Sequence, residues 1–504
     1  MLRPSTIVLA LFFAGCAVRP STESETTPAP PPAPTLLQVT ASPPDAALLL
    51  NGEEAKLGSA IESQPGSQTV TLSRKGFESI TTTIDLAKGT KETLDLELPA
   101  LPHQLRFTSY PESASITLLR GDAVVAEGTA PFDVEVLAGP ITLRSSLEGF
   151  ADSERSFFVD EARQIEECLD IEGQLLDCLW ESPSVRSPKA LAFTPDGSEI
   201  WTAQLNGTPS LRVYSVTTGE ELDNLTLGKH GSVELEFSAD GTKLYVSQMD
   251  TATVWEVDHK KREILRTFKT KSRWTKVVER SADGTKLYAS NWLGADVSEI
   301  DIESGKLLRK LRTVNTPRGL WAHPGGERLY VAGFGDGKLD RIDLATAKRK
   351  TIHQGGVLRH LEADEERGRL YISDMRRGII YVMDTETETV TKLATTERLP
   401  NTITLSPDGR LLFVSCRGRN GANWMAKGPQ WGSIMVLDAL DGELLDVIVA
   451  GNQPTALDVS PDGSLMAFSD ILDHRIRLYG VPSYESLKAA GGGLRDVYKA
   501  RLKK

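Results

Sequence analysis

One turn recurs along the C-terminal part of the chain at a nearly fixed spacing, and this spacing constrains the fold more than any other feature. The turns are Pro195-Asp196-Gly197, Ala239-Asp240-Gly241, Ala282-Asp283-Gly284, Pro324-Gly325-Gly326, Glu365-Glu366-Arg367, Pro407-Asp408-Gly409 and Pro461-Asp462-Gly463. Equivalent positions from Asp196 to Asp462 lie 44, 43, 42, 41, 42 and 54 residues apart. Each interval carries about four short apolar runs of strand length. A period of about 40–45 residues with four strands per unit is the signature of propeller blades. A lone blade leaves both faces uncovered, so such units close into a ring. The chain is therefore predicted to be all-β, with a seven-bladed β-propeller over 174–482.

The strand after the turn reads Leu244-Tyr245-Val246-Ser247-Gln248, Leu287-Tyr288-Ala289-Ser290-Asn291, Leu329-Tyr330-Val331-Ala332-Gly333, Leu370-Tyr371-Ile372-Ser373-Asp374 and Leu412-Phe413-Val414-Ser415-Cys416. These runs resemble the YVTN family of propeller repeats, and the resemblance covers residues 187–482. It implies the fold and leaves the function open, because propellers also host lactonases, lyases and quinone-dependent dehydrogenases. The seventh unit offers three strands, near Thr455–Val459, Leu465–Phe468 and Arg475–Tyr479. Leu175–Trp180, ahead of the first unit, is predicted to supply the fourth and close the ring.

Aligning the innermost strands puts Lys189, Val233, Lys276, Arg318, Arg359, Asn401 and Thr455 at one equivalent position. Lys189, Lys276, Arg318, Arg359 and Asn401 are predicted to form a ring at the channel mouth that suits a carboxylate, a phosphate or an acidic side chain. Glu234, Glu236, Glu279, Glu362 and Asp458 follow within a few residues, so a structural ion-pair network is the competing reading. The long last interval comes from an insertion, Cys416 to Trp431, on the same face of the ring. Arg417, Arg419, Trp424 and Trp431 are residue types favoured at binding hot spots, and loops on rigid scaffolds carry function. The competing reading is a cover that packs its tryptophans over the channel. Cys416 is expected as a buried thiol, and His360 is the one histidine aligned with an innermost strand.

Ahead of the repeats lie two shorter segments, 36–100 and 101–173, with alternating apolar runs between turn residues, the pattern of small β-sandwiches. Pro44-Asp45-Ala46 answers Pro111-Glu112-Ser113-Ala114, Asn51-Gly52 answers Arg120-Gly121, Pro65-Gly66 answers Ala138-Gly139, and Lys75-Gly76-Phe77 answers Glu148-Gly149-Phe150. Both segments resemble the PEGA family of small β-sandwich domains in bacterial surface lipoproteins. The resemblance implies spacer or adhesive modules, and neither segment holds a catalytic cluster.

The chain opens with Arg3, an apolar run from Ile7 to Phe13, then Ala14-Gly15-Cys16. That is the layout of a secretory signal, with a run too short to span a bilayer. Phe-Ala-Gly-Cys resembles a lipobox, which implies residues 1–16 as signal peptide, Cys16 as the lipidated residue and a bacterial envelope location at the outer membrane. Multiple acyl chains on one residue would anchor stably. Residues 17–35 are rich in Pro, Thr and Ser and read as an extended linker.

Cys168 and Cys178 lie ten residues apart and are predicted to pair if the compartment is oxidising. The tail over 483–504 is basic behind glycines and is predicted to be a mobile or short helical end. A net charge of −12 argues against nucleic-acid binding, so the membrane is met through the lipid alone. The seven histidines are scattered, and no metal-ligand pattern, nucleophile elbow, phosphate loop or calcium loop is present. No cofactor is expected. The sequence favours a docking platform for an envelope protein, a cell-wall component or a small anion. A propeller enzyme with its site in the central channel rests on fold analogy alone.

Overall fold

The computed structural model describes residues 33–184, 186–490 and 497–503. Cys16 and most of the linker lie outside the described residues. Two compact units result, one ending at His103 and including Leu137–Gly139, the other comprising Gln104–Val136 and Pro140 onward.

The first unit pairs a three-stranded sheet with a four-stranded one. In the first sheet Leu36–Ser42 lies between Ala60–Glu62 and Lys91–Glu97, running parallel to the latter. The second has the order Glu53–Ala55, Ala47–Leu50, Gly66–Ser73, Ile80–Leu86. Alternation along the strands turns Leu37 and Val39 of one sheet toward Leu48, Val70 and Leu72 of the other, which makes the core.

Residues 102–168 repeat this topology. Pro102–Tyr110 lies between Phe132–Leu137 and a parallel Arg163–Cys168, against a sheet ordered Ala123–Thr129, Ser115–Arg120, Gly139–Ser146, Ser153–Val159. Even the isolated bridges correspond: Phe77 pairs with Ala100, and Phe150 with Ile171. The match between Lys75-Gly76-Phe77 and Glu148-Gly149-Phe150 thus reflects one shared backbone device.

From Asp177 to Gly480 the described residues form seven four-stranded antiparallel sheets. Their innermost strands are Pro188–Phe193, Glu234–Phe237, Thr275–Arg280, Pro317–Ala322, Leu358–Asp364, Pro400–Leu405 and Pro454–Val459. Each packs on the next, and the last packs on the first. The seventh sheet takes its outer strand, Asp177–Pro183, from the chain ahead of the first, with Asp177 opposite Gly480. This strand sits slightly C-terminal to the predicted Leu175–Trp180.

The recurring turn has a local cause. In five of the turns the Asp carboxylate accepts hydrogen bonds from a Ser or Thr hydroxyl two residues before it and a backbone N–H two residues after it, as at Asp196, Asp240, Asp283, Asp408 and Asp462. The following glycine takes a positive φ, 71° at Gly197 and 76° at Gly463, which a side chain would resist.

The tail takes the short helical form of the two expected, and its described part is docked. Tyr484–Ala490 and Val497–Arg501 are short helices docked on the sixth sheet and its long loop. Leu487, Tyr498 and Leu502 are buried, and Lys488 bridges Asp438, Asp441 and Glu443. Three apolar side chains among the bases are enough to hold a segment that composition marks as free.

Candidate functional site

The serine of the Leu-Tyr-Val-Ser run builds the channel. Ser247, Ser290 and Ser373 donate to the carbonyls of Lys276, Arg318 and Asn401 at 2.5, 3.2 and 2.9 Å. Ser469 donates to Pro188, beside Lys189, at 2.9 Å. Ser290, Ser373 and Ser469 also accept N–H groups of their own sheet's innermost strand, from Val277, His360 and Ala456. Each such serine therefore fixes the backbone of a channel residue in the next sheet. Gly319 completes the fit, because a Cβ there would meet the Arg359 carbonyl and the Leu361 N–H at 3.0 Å.

These contacts bring Lys189, Lys276, Arg318 and Arg359 together as one layer. Lys189, Arg318 and Arg359 are 8%, 4% and 3% exposed, and Lys276 is half-buried. Arg417, expected with the loop, joins the layer instead. Its guanidinium reaches Thr455 Oγ1 at 3.5 Å, and its Nε is buried without a hydrogen-bond partner. Among the described residues none of these five cations has a carboxylate within ion-pair distance. The charge of Glu234 reaches Lys276, Arg318 and Arg359. The lysines record the crowding. Burial, then Arg318, Arg359 and Arg417, brings Lys276 down to about 7. Burial and the same arginines push Lys189 well below the usual lysine range. Burial and Arg318 lower Arg417 to about 9, so it still carries its proton at neutral pH.

Asn401 is buried in the same ring, its amide donating to the Thr455 carbonyl at 3.3 Å while its Oδ1 stays unsatisfied. One wall is aromatic. Lys276 Nζ sits 5.1 Å from the Trp292 ring centre and 5.8 Å from that of Trp274, and the Arg318 guanidinium lies 5.8 Å from Trp292. Trp292 in turn packs on Phe334 with centroids 4.6 Å apart. These aromatics lie in loops, where no repeat position marks them.

The expected neutralising acids are elsewhere. Glu236, Glu279, Glu362 and Asp458 line a cavity of about 350 Å³ with Glu234 and His360. There Glu279 accepts the Ala322 N–H, Glu362 the Leu405 N–H and Asp458 the Phe193 N–H, at 3.2, 3.2 and 2.9 Å. Each acid thus caps a backbone donor of the neighbouring sheet, and Glu236 pairs with Arg280 at 3.2 Å. Burial raises Asp458 to about 6, Glu236 to about 7 and Glu362 to about 8. The ion-pair network between bases and acids therefore does not form. His360 is held to about 3 by burial and the nearby arginines, so it is neutral and a poor proton carrier at pH 7.

The remaining predicted residues separate. Trp424 and Arg419 are exposed on the long loop. Trp431 packs edge-on against Tyr110 with centroids 5.4 Å apart, so its ring is used in packing rather than at the mouth, and its backbone N–H donates to the Leu502 carbonyl. Cys416 is buried and burial pushes its thiol up. Cys168 and Cys178 are free thiols in this structure, Cys168 being a hydrogen-bond partner of Cys178.

Over 356 residues the chain is 36% identical to antigen Lp49 of Leptospira interrogans serogroup Icterohaemorrhagiae serovar copenhageni (strain Fiocruz L1-130), a match spanning 67% of this chain and 77% of that protein. The chain belongs to the Lp49 antigen family. A 100-residue stretch of this chain is also 36% identical to human WD repeat-containing protein 90, covering 20% of this chain and 5% of that protein. The β-propeller and repeat character read from the sequence is supported by both. No protein-family model matches the chain. Among solved structures, hydrazine synthase from Kuenenia stuttgartiensis aligns with a TM-score of 0.49 at 17% identity, over 58% of this chain and 96% of that one.

Proposed function

We propose that this Lp49-family chain is an envelope lipoprotein that presents a seven-bladed, YVTN-type propeller as a binding platform, with the basic layer of the channel as its anion site. Cys16 carries the lipid, residues 17–35 serve as tether, and the two PEGA-like modules act as spacers. The observation that carries the reading is the set of buried, unpaired cations around Arg318 and Arg359. Removing a counter-charge from a buried ion costs about 3–5 kcal/mol. A fold that retains such charges without partners has a use for an anion that supplies them.

Thermal denaturation of the full chain with citrate, phosphate and divalent metals tests this, because a ligand that binds only the folded state raises Tm. Citrate is expected to stabilise the chain, and the effect is expected to vanish in Arg318→Ala/Arg359→Ala. Equal stabilisation of parent and double variant would remove the basic layer from the account.

A further inference from the structure

The basic layer does not stand alone at its end of the channel. Four large apolar side chains on the described residues emerge from loops at this end: Trp274, Leu293, Trp424 and Met425, between 41% and 49% exposed. Strand register places them on one face. Thr275 is opposite Asn291, so Trp274, one residue before, and Leu293, two residues after, emerge side by side; the Trp292 N–H bonds the Trp274 carbonyl at 2.9 Å. Pro400 is opposite Cys416 in the same sense, and the loop after Cys416 carries Trp424 and Met425. That loop is tied to the start of the seventh innermost strand, where Gln453 Nε2 donates to the Trp424 carbonyl at 2.6 Å. Lys189, Lys276, Arg318 and Arg359 sit at the second residue of the innermost strands of sheets one, three, four and five, and Arg417 directly follows Cys416. The mouth thus has a floor of unpaired charge and a rim of Trp, Met and Leu on sheets three and six.

We propose that this face docks an acidic segment of a partner protein, with one or two carboxylates entering the ring of Lys189, Lys276, Arg318, Arg359 and Arg417 and apolar neighbours resting on the rim. The proposal rests on the anion reading above and names the bearer of the anion. Three features favour a protein segment. Buried arginines with tryptophan and methionine exposed on loops at the same end match the composition of protein–protein hot spots, where apolar contacts exclude water from a charged anchor. Leu293 and Met425 have no flat face for stacking on a sugar, so they add nothing to recognition of an acidic glycan. The chain carries a net charge of −12, so an extended polyanion would be repelled along most of its length. A short acidic segment meets only the ring.

The test is selection from a random peptide display library on the immobilised full chain, followed by competition and variants. Peptides with Asp or Glu flanked by apolar residues are expected, displaced by citrate and lost on Arg318→Met/Arg359→Met. Trp424→Ser/Met425→Ser lies on an exposed loop and should preserve Tm. It is expected to weaken those peptides by about tenfold while leaving citrate stabilisation unchanged. Three results overturn the proposal. Acidic peptides indifferent to Trp424 and Met425 would remove the rim. Citrate binding without acidic, apolar peptides would leave the anion site but no protein partner. Polygalacturonate displacing citrate more strongly than any selected peptide would assign the face to an acidic polysaccharide. Loss of citrate stabilisation itself in the parent chain would instead defeat the anion reading beneath.

Discussion

The two ends of the channel place like charges close together, yet they resolve the conflict differently. At one end burial raises Glu279, Glu362 and Asp458, so that Glu279 and Glu362 give up charge at neutral pH, and each of the three accepts an N–H from the next sheet. Their hydrogen-bonding capacity is used inside the fold. At the other end arginine cannot release its proton at neutral pH, so the lysines absorb the strain and the guanidiniums keep their charge. Among the described residues no carboxylate pairs with them, and Glu234 acts on them only at a distance. Satisfied carboxyls are part of the ring's structure; unanswered guanidiniums are capacity held for something outside it.

That contrast is open to direct attack, first through pH. Glu362, Glu236 and Asp458 have folded values of about 8, 7 and 6, above the ordinary 4.5, 4.5 and 3.8. A raised carboxyl contributes stability that is full below its unfolded value and is lost as pH rises through the folded one. Lys276 has the opposite slope: its cost is full below about 7 and is relieved as pH climbs toward 10.5. Tm is therefore expected to fall from about pH 5 to about pH 8 and then level or recover. Glu362→Gln should flatten the fall. A Tm that rises across the lower window would reverse the assignment of the acid layer.

Next in size is Asp458→Ala. It strands the Phe193 N–H where the first and seventh sheets meet, and a buried donor without a partner costs about 1–3 kcal/mol. Denaturant unfolding should show a loss of that order, with citrate binding retained. The smallest effect belongs to Lys276→Met, which removes a crowded cation while keeping its bulk. The free chain is expected to gain up to about 1 kcal/mol, and citrate affinity to fall. A clear loss of stability would mean that Lys276 has an internal partner after all.

Much of this was legible beforehand, because repetition magnifies weak signals. The Asp-Gly turns gave the period, and the aligned innermost strands gave four of the five cations. From sequence Arg417 reads as a loop residue alone, since nothing in an insertion's spacing says that it folds back toward Thr455. The fate of the acids was also hidden. Glu279 lies three residues beyond Lys276, about 10 Å along an extended strand, and competes for a neighbour's N–H that sequence does not display. Trp292 and Phe334 were missed because loop residues obey no period. In sequence the serines are marks of the fold; that they also hold the carbonyls of Lys276 and Arg318 follows only from packing between sheets.

The closing strand has a consequence for synthesis. Asp177–Pro183 leaves the ribosome before any of the seven innermost strands, yet its partner, Arg475–Gly480, comes about 300 residues later. Until then the strand has an unpaired edge, and contacts so distant along the chain are slow to form. The nascent protein must hold an open arc of sheets whose two ends await one another. Its last act of folding is to join a segment made early to one made near the end, and only then do the channel's charged layers face one another around a complete circle.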